Sequence, residues 1–234
     1  YHHLYMNGIY WGIYQTQERV EAYFAETYLG GNEADFDRVK ADNSNGLRVH
    51  FPDGNNAARE EPFVLTQALG ANPMANYSNI WPVQGLKADG TRDPALPVLL
   101  DMDNLIDYMM VIFYTGGTDT GLTNWSNQTV ANNWVALRNR VANDQGWQFF
   151  IHDNEHSLGI TRNPVHEDRT GPFNNGNQDS YEFSNPAFMH QDLMKHEEYR
   201  LKFQDRVQKQ FFNNGPLTLA NNLERWNERE DIVD

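Results

Sequence analysis

The sequence contains no cysteine. That removes disulfide scaffolds, cysteine nucleophiles and thiolate metal sites together. It is also compatible with export, since no stray thiol is left to oxidise. Positive charge is scarce: 18 Lys and Arg stand against 32 Asp and Glu, a formal net charge of −14. A nucleic-acid backbone and an anionic membrane surface both call for basic patches, so neither partner is expected. No apolar run reaches the roughly 18 residues of a membrane-spanning helix, so no membrane insertion is expected. Several signatures are also missing: the GxxxxGK[ST] phosphate loop, the GxSxG nucleophile elbow, a GxGxxG after a strand, and the usual protein-kinase strings HRD and DFG.

What is present is aromatic and acidic. Of 234 residues, 13% are aromatic, enough to build a core and to argue against a disordered chain. The acidity suits a protein that collects divalent cations or simply stays soluble. The chain opens at Tyr1-His2-His3 with neither initiator Met nor signal peptide. It is therefore expected to be a piece of a longer protein, with further domains in the parent chain.

Periodicity predicts an α+β order. Two β-rich runs flank Asn7-Gly8 between His3 and Gln17, a strong hairpin signal. A short amphipathic helix over 18–29 ends at Gly30-Gly31, and 35–41 is a short strand. The stretch 42–101, full of Pro and Gly, reads as long loops with weak helices at 60–71 and near Ile80. Asp101 opens a clear helix that ends at Gly116-Gly117. A hairpin follows, with strands 134–138 and 147–152, and then helices over 187–194, 197–212 and 217–230. Tyr5, Tyr10, Trp11 and Tyr14 are expected to pack across the first hairpin and into a core, and Met102, Met109 and Met110 to be core.

The chemistry-bearing candidates are Asp119, Asn133, Asp153 and Glu155. A hairpin brings its two ends together, so Asn133 and Asp153 are expected to be neighbours, with Asp119 after the preceding helix. Hard divalent cations favour such oxygen ligands. The same residues also serve as ordinary caps and turn formers. His152 and His156 are spaced for a zinc pair only if helical, and they follow a strand. Lys40 on its strand either reaches a phosphate or is a solvated edge charge. Glu18 is either a helix-starting carboxylate or the partner of such a Lys.

Four segments in order carry a resemblance. YMNGIYWGIYQTQER (5–19), DMDNLIDY (101–108) with the Gly-Gly-Thr-Asp step, NNWVALR (132–138) and FFIHDNEHSLG (149–159) resemble the CotH kinase family, the spore-coat protein H-like proteins. FQDRVQKQFFNNGPLT (203–218) resembles its C-terminal helical part. The resemblance implies a single domain over 1–234 with an atypical protein-kinase-like fold, truncated at its N-terminal side. Residues 1–100 would be the remainder of the nucleotide lobe and 101–234 the catalytic, helical lobe. It implies binding of ATP with Mg²⁺ or Mn²⁺, or Ca²⁺ as the alternative, and transfer of the γ-phosphate to a hydroxyl of a protein substrate. Carried over by position, Asp119 is the catalytic Asp that engages the acceptor. Asp153, Asn133 and Glu155 hold metal, Lys40 contacts phosphate and Glu18 partners it. His152 stands where the family usually has Trp, and Glu155 where it has a second Asp. This variant resembles the branch found in large secreted bacterial proteins, which implies an extracellular or cell-surface location. The competing expectations are a non-catalytic, cation-binding module and a metal-dependent hydrolase using the same carboxylates.

Overall fold

Asn7 and Gly8 both take positive φ, 52° and 79°, as a tight two-residue hairpin turn requires. They join β1 (His2–Met6) to β2 (Ile9–Tyr14) in antiparallel register, His2 opposite Tyr14 and Met6 opposite Ile9. The computed structural model describes residues 1–42, 46, 48–55, 57–73, 80–122, 132–160, 168–173 and 180–233. Much of the polar segment 118–132 between α3 and the next hairpin lies outside the described residues, and so do Asn76, Asn124 and Asn127, each of which stands in an N-x-S/T sequence.

The further elements are α1 (Ala22–Leu29), β3 (Phe36–Asp42), β4 (Arg48–Asp53), α2 (Glu61–Ala71), α3 (Met102–Thr115), β5 (Trp134–Asn139), β6 (Gln148–Ile151), α4 (Pro186–Leu193), α5 (Glu197–Phe211) and α6 (Leu219–Val233). The chain is thus mixed α+β, with two antiparallel sheets and six α-helices among the described residues. None of these helices is long and apolar enough to cross a membrane. Contacts divide the chain into two compact units, 1–19 with 204–234, and 20–203.

In the first unit the aromatic hairpin departs from expectation. Tyr5, Tyr10, Trp11 and Tyr14 are 64%, 49%, 56% and 44% exposed rather than core. Cross-strand packing does form, with the Tyr5 and Tyr10 rings 5.2 Å apart. A two-stranded sheet has no third layer of its own, so alternation alone buries neither face.

In the second unit the sheet order is β4-β3-β5-β6. β4 falls in the stretch expected to be loops. Its Pro52 and broken alternation hide it, and both are tolerated because β4 is an edge strand. One face of the sheet, with Val39, Ala41, Trp134, Ala136 and Phe149, is buried with α3 and α4. The other face receives α1, whose Ala22 and Ala25 pack with Phe36 and Leu137. Phe24 meets Phe150 edge-on at 5.7 Å.

The central helix α3 is capped by Asp101, whose side chain accepts from the Asn104 amide at 3.0 Å. Met102, Met109 and Met110 lie in the core, as expected. One turn in, the Asn104 side chain acts as a strand partner for the free edge of β6. It donates to the Phe149 carbonyl at 3.1 Å and accepts from the Phe149 amide at 2.6 Å. Just before β6, Leu100 bridges Trp147 in parallel, and a Cβ at Gly146 would lie 2.6 Å from the Leu100 nitrogen. Glycine is needed for that close approach.

Between α4 and α5, buried His190 shares a 2.9 Å hydrogen bond with the Tyr199 hydroxyl. Burial lowers the His190 pKa from 6.5 to about 4.

Two expectations follow from this packing. Asn104→Ala leaves both Phe149 backbone groups unpaired at a covered edge, and equilibrium denaturation should show a loss of about 1–3 kcal/mol. Between pH 6.5 and about 4 the unfolded chain binds a proton that folded His190 refuses. Stability is therefore fullest above that window and falls as pH drops through it, by up to about 3 kcal/mol. Denaturation midpoints measured against pH should show this slope, and His190→Gln should flatten it.

Candidate active site

The site forms where three chain segments leave regular structure at one end of the β5–β6 hairpin. Trp134 pairs with Ile151, so the next step brings Asn133 level with His152 and next to Asp153. Asn133 and Asp153 both turn off the sheet at positive φ, 49° and 54°. Asn and Asp tolerate that region better than other side chains, which accounts for them here.

The third segment is the exit of α3, ended by Gly116 in the left-handed region. The amide and the hydroxyl of Thr118 both donate to the His156 carbonyl, at 2.9 and 3.0 Å. The Leu158 amide donates to the Thr115 carbonyl at 2.7 Å. These bonds stitch the exit of α3 to the exit of β6. Space between the two loops is minimal: a Cβ at Gly117 would lie 2.2 Å from Thr120 Cγ2 and 2.4 Å from Asn154 Oδ1. Asp119 follows directly and is buried. Its carbonyl accepts from Asn133 Nδ2 at 3.0 Å, and its carboxylate accepts from the Asn132 side chain. Asp119, Asn133 and Asp153 are thereby brought to one end of the hairpin. Asp153 and Glu155 are exposed, and the Glu155 carboxylate lies 3.2 Å from His156 Nε2.

Beside this end, β3 presents Arg38, Lys40 and Asp42 on one face. Lys40 is level with Val135 on one side and His50 on the other, inside the sheet rather than on an edge. The reading of Lys40 as a solvated edge charge therefore fails. Its ammonium lies 2.6 Å from the Asp42 carboxylate, with each side chain 12% exposed. Arg38 is held by Glu21 at 3.4 Å and Asp53 at 3.6 Å. Glu18 is exposed in the segment before α1 and belongs to the other unit. The carboxylates that meet the cations of this face are Asp42, Glu21 and Asp53.

His152 reports on the junction. Burial lowers its pKa, and so does the positive charge of Lys40, while Asp153 and Asp42 pull the other way. The ends of β3 and β6 thus share one electrostatic environment.

The donors suit a hard cation. Besides the carboxylates, the side-chain oxygens of Asn132 and Asn154 are buried with no hydrogen-bond partner. Among the described residues no three His, Asp or Glu side chains converge on one point.

Asp42, Glu21, Asn132 and Asn154 were not anticipated as members of this site. For Asp42 a signal existed. In DFDRVKAD, Arg38, Lys40 and Asp42 alternate at strand spacing, but the predicted strand stops one residue short.

Fold and site define an α+β arrangement with an acidic, oxygen-rich strand end and a half-buried lysine on the neighbouring strand. The family model described as CotH kinase protein matches residues 1–221. The chain belongs to the CotH kinase protein family, and is by that membership a kinase-like domain. The family implies use of ATP and a divalent metal in general. No curated protein and no solved structure matches the chain.

The closeness at Gly117 is open to test. Gly117→Ala must push Thr120 or Asn154 aside, at a cost of about 1–3 kcal/mol. A thermal scan should show the midpoint lowered by roughly 2–10 °C.

Proposed function

We propose that this domain is an ATP-dependent protein kinase of atypical kinase-like fold, transferring the γ-phosphate to a protein hydroxyl with a divalent metal. The observation that carries this reading is the stitch between the exits of α3 and β6, which gathers Asp119, Asn133 and Asp153 at one end of the hairpin, where His152 feels the charges of both Lys40 and Asp153. Phosphoryl transfer asks little covalent chemistry of a protein; positioning and charge neutralisation do most of the work.

Each residue then has a role. Lys40 contacts a phosphate oxygen. Asp153 and Asn133 ligate metal, with Glu155 as the outer carboxylate. A divalent ion held by Asp153 and Asn133 would offset the negative charge of the phosphates. Asp119 orients the acceptor hydroxyl and takes up its proton. Its hydrogen bond from Asn132 fixes the carboxylate. We place the domain in an exported or surface-bound parent protein.

A second reading has one observation of its own. Asp153 and Glu155 are both exposed at the strand end, which also suits a non-catalytic module holding a cation without nucleotide.

A thermal-shift titration with Mg²⁺ or Mn²⁺, with and without ATP, separates the two. At a hundredfold excess over the dissociation constant, a ligand of the folded state adds about 2.7 kcal/mol. For a domain of this size that is roughly 5–10 °C. The kinase reading expects a shift that requires metal and ATP together and vanishes in Asp153→Ala. A shift with metal alone selects the cation module. No shift with either rejects both.

A further inference from the structure

The proposed role of Lys40 raises the question of what holds its ammonium in place. Protein kinases use a glutamate on a neighbouring helix for this. Here α1 is the helix beside β3, and Glu21 at its start is engaged with Arg38. Arg38 also takes Asp53. Lys40 is left with a different partner, Asp42, two residues further along its own strand and on the same face.

We infer that Asp42 is the positioning residue for the phosphate-contacting Lys40, a task carried out within one strand instead of between strand and helix. This rests on the nucleotide reading above. A mostly desolvated ammonium needs a counter-charge, and at 2.6 Å Asp42 supplies it. An ammonium has three donors, so Asp42 uses one and leaves others for phosphate oxygens. The opposed rows limit where Lys40 can go. Val135 is 1% exposed on one side. On the other side stands His50, with Nδ1 3.8 Å from the Asp42 oxygen that Lys40 does not take. The i, i+2 spacing fixes the pair without any movement of α1. Lys40 is therefore oriented in the nucleotide-free domain, and no helix swing is needed to complete it.

The test is acylation footprinting of the whole chain with an N-hydroxysuccinimide acetate, read by mass spectrometry. Exposed Lys209 serves as the internal reference. Wild type, Asp42→Asn and Asp42→Glu are compared with and without ATP and Mg²⁺, and each variant's unliganded melting curve checks its fold. If Asp42 positions Lys40, Asp42→Asn raises Lys40 acylation about tenfold relative to Lys209, and Asp42→Glu restores most of the protection. Adding ATP with Mg²⁺ protects Lys40 further in wild type. Asp42→Asn then needs about tenfold more nucleotide for the same protection. The inference is overturned if acylation of Lys40 is unchanged in Asp42→Asn, or if that variant is protected at the wild-type nucleotide concentration. If Asp42→Asn unmasks Lys40 but nucleotide never protects it in wild type, the nucleotide reading has failed and the positioning role fails with it. That outcome differs from one in which nucleotide protects both proteins equally.

Discussion

The second unit depends on how β3 buries charge. This strand is interior, paired to β4 on one side and β5 on the other, and nearly every residue in it is buried. It nevertheless carries Asp37, Arg38, Lys40 and Asp42. Desolvated charges are costly unless compensated. Each finds a counter-charge: Asp37 takes Arg140, Arg38 takes Glu21 and Asp53, and Lys40 takes Asp42. The apolar residues between them, Val39 and Ala41, face the opposite core. One strand thus contributes Val39 and Ala41 to the hydrophobic layer and carries Arg38, Lys40 and Asp42 on its other face, because its side chains alternate with a period of two.

α3 is the second organising element, and its two ends do different work. At its start, Asn104 covers the edge of β6 with paired hydrogen bonds. At its end, the Gly116-Gly117 step lets Thr118 reach the His156 carbonyl. The helix between is held by Leu105, Ile106, Met109 and Ile112, all 1% exposed or less. A rigid apolar rod therefore connects the structural edge of the hairpin to its chemical end. Loops hung on such a scaffold can hold polar groups at fixed separations, and this suits them to bind charge.

Much of this was legible beforehand. Asn7-Gly8, the Asp101 cap and the apolar spacing of α3 depend on interactions within a few residues, so the local sequence displays them. The meeting of Asn133 and Asp153 was also legible, because a hairpin must bring its ends together. β4 was not, since an edge strand tolerates Pro52 and needs no regular alternation. The exposure of Trp11 and its neighbours was not either, because alternation states which residues share a face and not whether anything covers it. Glu18 and Glu21 illustrate the same limit. Both lie near the start of α1, and only the packing of α1 on β3 decides which carboxylate reaches a cation.

The sequence by itself determined the element order apart from β4, the family, the acidic character and the placing of Asp119, Asn133, Asp153 and Glu155 after α3 and at the ends of β5 and β6. Those properties are written in local spacing and composition. Tertiary structure alone decided that Lys40 belongs to Asp42, that Arg38 consumes Glu21, and that Thr118 ties Asp119 to the loop carrying Asp153. Ion pairs and loop stitches of this kind depend on separations of a few ångströms between segments tens of residues apart, and linear spacing does not encode them.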